Sequence, residues 1–304
     1  MLKTRLWMGS LLIGLGLLIL CEERWSAPWY PLLIAATCVS AILGAGEFCS
    51  LLDPGLRPNT RLCQSGIVFI LLANLATPAA STLFIPAQWS GWPTILLTWA
   101  TGAGALFALE FWQFTGPRQC VPRLALALFV LFYLGILPSF LLQIRWLPPS
   151  GGPELPSRST WSLALVLFVT KGGDIGAYFT GKFLAGPILG KHALAPRLSP
   201  KKTWEGLIGG LLTSVAIAWI IVRAAGAEST PLPRVIAFGL TVGIAGVFGD
   251  LAESLIKRDC HRKDASATLP GFGGVLDLID SLLGAAPVAY LWLGTPFFQF
   301  WENN

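Results

Sequence analysis

The sequence has 304 residues, of which 54% are hydrophobic and only 12% are charged, and its mean hydropathy is +0.66. An ordinary soluble domain carries charge on roughly a quarter of its residues, so this composition excludes a soluble globular chain. The net charge of +5 is explained by basic loops on one side of a membrane, and we expect no nucleic-acid partner. The sequence predicts an all-α, polytopic integral membrane protein.

Hydrophobic windows long enough to cross a bilayer recur along the whole chain. The first window follows two basic residues, but no small-residue cleavage site comes after it. We therefore interpret it as an uncleaved span and not as a signal peptide. About nine transmembrane helices are predicted, at 5–20, 29–52, 65–85, 91–113, 122–144, 161–180, 204–223, 234–256 and 275–294.

The basic residues predict the orientation of these spans. With the N-terminus in the cytoplasm, fifteen of the 21 lysines and arginines lie in inner segments, five lie in outer segments and Lys171 lies within a span. The positive-inside rule therefore favours a cytoplasmic N-terminus and an outer C-terminus. We expect a multi-pass protein of the inner (plasma) membrane.

The ionisable residues within the spans lie toward the same, inner face of the membrane. Charged groups are costly there, and aspartate is too short to reach far toward water. We interpret the sorting as a polar cavity that opens to the cytoplasm, and snorkelling from helix ends is the alternative. These residues are Glu47, Glu110, Lys171, Asp174, Glu205, Asp250, Glu253, Asp277 and Asp280.

Two segments each place acidic residues on one helix face. Asp250 and Glu253 are three residues apart near the end of the eighth span, and Asp277 and Asp280 repeat this spacing at the start of the ninth. Carboxylates from two adjacent helices could converge on one ion. Such an all-oxygen site suits Mg²⁺, which commonly bridges substrate phosphates.

The segment 199-SPKKTWEG-206 predicts a helix start, with Ser199 as N-cap and Pro200 at the first helical position. Lys201 and Lys202 would then lie beside a positive helix end, where phosphate binds. Alternatively, these lysines only mark the inner side of the membrane.

Glycines at helical spacing predict close contacts between helices in lipid and not a cofactor site. They include Gly239 with Gly243, and Gly206 with Gly209 and Gly210. The six cysteines are scattered without a CxxC motif, so neither a zinc site nor a disulfide framework is predicted.

Four segments resemble motifs of the phosphatidate cytidylyltransferase family, over roughly residues 160–290. They are 173-GDIGAYFTGK-182, 190-GKHALAPRLSPKKTWEGLIGG-210, 249-GDLAESLIKRD-259 and 269-LPGFGGVLDLID-280. Phe272 replaces the family's usual histidine and Leu278 its usual arginine. The expected division is 1–155, transmembrane helices without a recognised motif, and 156–304, the catalytic region.

The resemblance implies transfer of a cytidylyl group from CTP to phosphatidic acid, which yields CDP-diacylglycerol and pyrophosphate. It implies Mg²⁺ as cofactor, bound chiefly by Asp250 and Asp277, with Asp280 and Asp174 supporting it or holding a second cation. CTP, phosphatidic acid and membrane lipid are the implied partners, and a homodimer is an open alternative. The implied catalytic residues are Asp250, Asp277, Lys257, Lys201 and Lys202, and the implied substrate-binding residues are Ser199, Lys201, Lys202, Thr203, Ser254, Lys257, Arg258 and Lys263.

Two other classes of function are alternatives. A CTP-dependent lipid kinase, or a cytidylyltransferase for a different phospholipid, would use similar residues but give different products. A membrane transporter would place its acids near the midplane or on both sides, often with broken helices repeated in two halves. Here the acids crowd one side and one half of the chain, which favours an enzyme.

Overall fold

The computed structural model describes residues 2–82, 86, 90–114, 116, 119–147, 158–184, 192–266, 268–269 and 273–294. These residues are mostly helical with one short hairpin, which confirms the all-α class. Within this described part of the chain, eight helices are long and apolar enough to cross a membrane, and a shorter apolar segment, Trp7–Cys21, precedes them. Each of the nine predicted windows therefore overlaps an apolar helix, and the chain is an integral membrane protein.

The chain forms two compact units, and the first comprises Met1–Trp146 with Asp259–Ile279. The last helix, α12 (Val275–Gly294), begins in the first unit, and its residues from Asp280 onward belong to the second unit. The predicted division between residues 155 and 156 lies outside the described residues. The other helices of the first unit are α1 (Leu2–Cys21), α2 (Glu23–Ser26), α3 (Pro31–Leu51), α4 (Thr60–Ala73), α5 (Ala76–Thr82), α6 (Trp92–Gln113), α7 (Cys120–Leu131) and α8 (Leu137–Ile144).

A π-helical turn, Phe132–Ile136, joins α7 to α8 where Pro138 cannot donate a backbone hydrogen bond. The hydroxyl of Ser139 donates to the carbonyl of Gly135 at 2.8 Å. Asn74, which ends α4, donates from Nδ2 to Ser139 Oγ at 2.9 Å and accepts from Gln143 Nε2 at 2.8 Å. Polar groups in a bilayer need internal partners. These side chains therefore stabilise both the break between α4 and α5 and the π-helical turn before α8.

Helix α3 begins at a buried carboxylate. Glu22 is fully buried, and its two oxygens accept from the backbone N–H groups of Leu32 at 2.5 Å and Leu33 at 3.0 Å. Arg145 lies nearby with its guanidinium 4.4 Å from the centre of the Tyr30 ring, and burial lowers the pKa of Arg145. The negative charge of Glu22 thus stabilises the positive end of α3.

The second unit comprises Leu147–Arg258 with Asp280–Asn304. It contains an antiparallel hairpin, and the helix start predicted at Ser199 and Pro200 is wrong, since Ser199–Thr203 is the second strand. Its elements are α9 (Arg158–Phe183), β1 (Ala193–Ala195), β2 (Ser199–Thr203), α10 (Trp204–Ala224) and α11 (Leu232–Asp259), followed by most of α12.

The start of α10 is determined by Thr203. Its Oγ1 accepts from the N–H of Gly206 at 3.0 Å, so Thr203 is the N-cap and the helix begins at Trp204. The N–H of Trp204 also donates to the carbonyl of His192 at 3.0 Å, which joins the hairpin to the first turn of α10.

Glycines bring the helices of this unit close together, as predicted. A Cβ added at Gly210 would lie 2.9 Å from the carbonyl oxygen of Gly173, and one added at Gly239 would lie 2.7 Å from Cα of Val215. Both obstacles are backbone atoms, which cannot rotate away. The small-residue prediction is therefore confirmed for the contacts of α10 with α9 and with α11.

We expect Gly239→Ala to lower the apparent melting temperature of the protein in detergent by about 3–10 °C, because overpacking costs about 1–3 kcal/mol. Gly104→Ala is the matched control, since a Cβ at Gly104 meets nothing within 4 Å. Thermal unfolding followed by intrinsic tryptophan fluorescence measures both variants. A melting temperature for Gly239→Ala equal to that of the wild type would contradict the close packing of α11 on α10.

Candidate active site

Three acidic side chains of the second unit gather at one place. Asp250 and Glu253 lie on α11 and Asp280 on α12, and each offers an oxygen within 4.8 Å of the others. Glu253 is 1% exposed and Asp280 is 6% exposed. Two unit charges at such a separation repel by about 3.5 kcal/mol at an effective dielectric constant of about 20. This acidic cluster therefore attracts cations strongly.

Two lysines are paired with the acidic cluster. Lys202 Nζ lies 2.6 Å from Asp250 Oδ2, and Lys257 Nζ lies 2.5 Å from Glu253 Oε2. The second pair follows from the helical spacing of four residues along α11. Two ammonium groups against three carboxylates leave the cluster with negative charge when all five groups are ionised.

A further polar group involves Asp174, which the sequence predicts as a supporting metal ligand. Its Oδ2 accepts from Ser281 Oγ at 2.9 Å and lies 3.3 Å from Lys171 Nζ. Lys171 Nζ also donates to Ser281 Oγ at 2.6 Å. Neither Lys171 nor Ser281 was singled out as a site residue, although a lysine within a span and a serine beside Asp280 were both visible signals.

The hairpin presents its two lysines differently. Neighbouring residues in a strand point to opposite faces, so Lys202 contacts Asp250 while Lys201 is exposed. Arg258 on α11 donates from Nε to the carbonyl of Leu198 at 3.1 Å and holds the turn of the hairpin. Among the other predicted residues, Ser199 is half-buried on β2, Thr203 caps α10, and Ser254 is buried beside Glu253 on α11.

Asp277 belongs to the first unit, where its carboxylate organises the loop before α12. Its Oδ2 accepts from the backbone N–H groups of Gly274 at 2.7 Å and Ala265 at 3.3 Å. Gly273 has φ +97°, which favours glycine at that turn. The role of Asp277 as a metal ligand stays a prediction. Lys263, a predicted substrate-binding residue, is exposed in the same loop. Phe272 lies outside the described residues, and Leu278 is half-buried.

The apolar helices make this chain an integral membrane protein. Its cluster of carboxylates and lysines contains the kinds of groups that can bind metal ions and phosphates. A sequence model of the cytidylyltransferase family matches residues 3–295, so the chain belongs to that family, as predicted.

Relatives include a phosphatidate cytidylyltransferase of Chlamydia pneumoniae, which is 31% identical over 271 residues, 86% of this chain and 81% of the relative. The chloroplastic phosphatidate cytidylyltransferase 4 of Arabidopsis thaliana is 30% identical over an alignment of 309 positions, which covers 97% of this chain and 74% of the relative. The phosphatidate cytidylyltransferase of Brucella suis is 38% identical over 226 residues, 67% of this chain and 79% of the relative.

Proposed function

We propose that this protein transfers a cytidylyl group from CTP to phosphatidic acid, forming CDP-diacylglycerol and pyrophosphate. The observation that carries the proposal is the acidic cluster of Asp250, Glu253 and Asp280, paired with Lys202 and Lys257 in a membrane protein of this family. Carboxylates can hold a divalent ion, and lysines can bind the phosphates of a nucleotide and a lipid. Both are needed when two anions react.

Mg²⁺ is the proposed cofactor, since it prefers oxygen ligands and is held by a few carboxylates together with waters and substrate phosphates. Asp250, Glu253 and Asp280 would hold it, because each offers a carboxylate oxygen within 4.8 Å of the others. When bound, the ion would neutralise charge on the phosphates and on the leaving pyrophosphate. Asp277 and Asp174 remain proposed ligands, the latter for support or for a second cation.

In the proposed reaction, a phosphate oxygen of the lipid attacks the α-phosphorus of CTP. The new bond is a phosphorus–oxygen bond, and the bond from the α-phosphorus to the oxygen that bridges it to the β-phosphorus breaks. The electron pair leaves with pyrophosphate. The attacking phosphate is already an anion near neutral pH, so the reaction requires no strong general base.

The remaining roles concern binding. Lys202 and Lys257 lie at the acidic cluster and would turn from Asp250 and Glu253 toward phosphates when the substrates bind. The other proposed contacts to CTP or to the lipid phosphate are Lys201, Lys263 and Arg258 as cations, and Ser199, Thr203 and Ser254 as hydroxyl donors.

The proposed site faces the cytoplasm, where CTP is available, in the inner (plasma) membrane. The excess of basic residues in the predicted inner loops supports a cytoplasmic N-terminus and an outer C-terminus. The acyl chains of phosphatidic acid and of the product would remain in the bilayer while the headgroup enters the polar site. A homodimer remains part of the proposal for the oligomeric state.

Two labelled substrates test the reaction with purified protein in lipid nanodiscs. With CTP labelled at the α-phosphate, phosphatidic acid and Mg²⁺, we expect label in the lipid fraction and release of unlabelled pyrophosphate. With CTP labelled at the γ-phosphate, label should appear only in pyrophosphate. Lipid labelled by the γ-phosphate, with release of CDP, would show a lipid kinase, and turnover with a different phospholipid alone would show another acceptor.

A further inference from the structure

The first unit contains a buried carboxylate that the proposed mechanism does not use. Glu47 lies near the end of α3 and is 6% exposed. Its Oε1 accepts from the N–H of Val275 at 3.0 Å, and its Oε2 accepts from the N–H of Leu276 at 2.8 Å. These are the first two residues of α12, so Glu47 caps a helix that begins more than two hundred residues later in the chain.

The same carboxylate also holds the loop before α12. Ser266 donates from Oγ to Glu47 Oε1 at 2.5 Å, and Ser266 Oγ in turn accepts from the N–H of Thr268 at 3.1 Å. Glu47 therefore binds the loop at Ser266 and again at its end, where α12 starts. Three donors, Ser266 Oγ and the N–H groups of Val275 and Leu276, converge on one carboxylate.

The glycine before α12 fits this arrangement. A Cβ at Gly274 would lie 2.6 Å from Glu47 Oε2 and 3.0 Å from Asp277 Oδ2. The N–H of Gly274 donates to Asp277, so the start of α12 is fixed by Glu47 and by Asp277 together. The loop also carries Lys263, a proposed phosphate ligand.

We infer that Glu47 is a positioning residue for the reaction, because its carboxylate holds Ser266 and the first turn of α12. Asp277, a proposed metal ligand of the same unit, lies in this first turn, so a shift of the turn would move its carboxylate. The inference rests on the proposed function for its kinetic consequence. Its structural part concerns the hydrogen bonds of Val275 and Leu276 and is tested without substrate.

Glu47→Gln keeps the size of the side chain but removes its charge, and one oxygen acceptor becomes an N–H donor that faces another donor. We expect kcat to fall by about tenfold to a hundredfold, as for small displacements of catalytic groups, with KM for CTP changed less than about threefold. Hydrogen–deuterium exchange of the backbone amides at the start of α12 should become faster. Glu47→Asp, which retains the charge, should give an intermediate kcat.

Glu22→Gln is the matched control, because Glu22 is a buried carboxylate that caps the start of α3 in the same unit. We expect it to lower thermal stability but to leave kcat per folded molecule and exchange at α12 unchanged. Ser266→Ala removes one donor to Glu47 and leaves the helix cap, so it should cause a smaller loss of kcat if Glu47→Gln does not fold.

The two measurements separate this inference from the proposed function. If the wild-type protein does not turn over CTP, the proposed function fails, yet faster exchange at α12 in Glu47→Gln would still support the anchoring role. Wild-type exchange in Glu47→Gln would overturn that role, and so would equal losses of kcat in Glu47→Gln and Glu22→Gln. Faster exchange together with an unchanged kcat would show that Glu47 anchors the start of α12 but is not a positioning residue, which would also overturn the inference.

Discussion

Replacing Asp280 with asparagine is expected to reduce Mg²⁺-dependent turnover of CTP at least about a hundredfold. Asp280 is buried in the acidic cluster, where its oxygen lies within 4.8 Å of oxygens of Asp250 and Glu253. The amide keeps the shape of the side chain but loses the negative charge that attracts a divalent ion. The loss should therefore appear in turnover while the protein remains folded, because the change also relieves repulsion within the cluster.

The measurement is the rate of lipid labelling from α-labelled CTP over a range of Mg²⁺ concentrations, beside a melting curve for each variant. Asp259→Asn is the matched control, since Asp259 ends α11 but is exposed. We expect it to retain wild-type turnover. If Asp280→Asn kept the wild-type rate at every Mg²⁺ concentration, the cluster would not be the metal site.

The positions of the helices could be predicted because a span leaves a long apolar signal that does not depend on tertiary contacts. The start of α10 could not be predicted as reliably. Ser199 followed by Pro200 and Thr203 followed by Trp204 are both plausible helix starts, and the local sequence does not decide between them. The pairing of Ser199–Thr203 with Ala193–Ala195 makes the first of them a strand.

The acidic cluster was predicted only in part. Spacing places Asp277 and Asp280 on one face of a helix, and it gives no reason to rank one before the other. In the structure Asp280 lies in the cluster, whereas Asp277 accepts two hydrogen bonds from its own loop. That difference depends on how the loop turns into α12, which local sequence patterns do not reveal.

Long-range contacts explain the residues that sequence reasoning missed. Glu47 was visible as one of several acids near the inner face, but the atoms it binds are 219 to 229 residues away in sequence. Lys171 was visible as a lysine within a span, and Asp174 is three residues away, yet its second partner, Ser281, is 110 residues away. A charged group within a span therefore indicates that a polar partner exists, but only the fold identifies it.

Lys202→Gln is expected to lower kcat/KM for CTP by about a hundredfold, mainly through a higher KM. The lysine lies 2.6 Å from Asp250, and in the proposed function it exchanges this carboxylate for a phosphate of the nucleotide. Its removal also takes a positive charge away from the acidic cluster. The cluster should then attract Mg²⁺ more strongly, and the Mg²⁺ concentration for half-maximal rate should fall while the KM for CTP rises.

These opposite shifts distinguish a phosphate-binding lysine from one that only maintains the fold. A purely structural lysine would lower the fraction of folded protein and leave both constants unchanged in the folded molecules. Arg197→Gln is the matched control, because Arg197 is an exposed cation in the turn of the same hairpin, and we expect both constants to stay at their wild-type values. Lys202→Arg keeps the charge but changes its shape, so it should recover part of the affinity for CTP. An unchanged KM for CTP in Lys202→Gln would show that Lys202 does not bind the nucleotide.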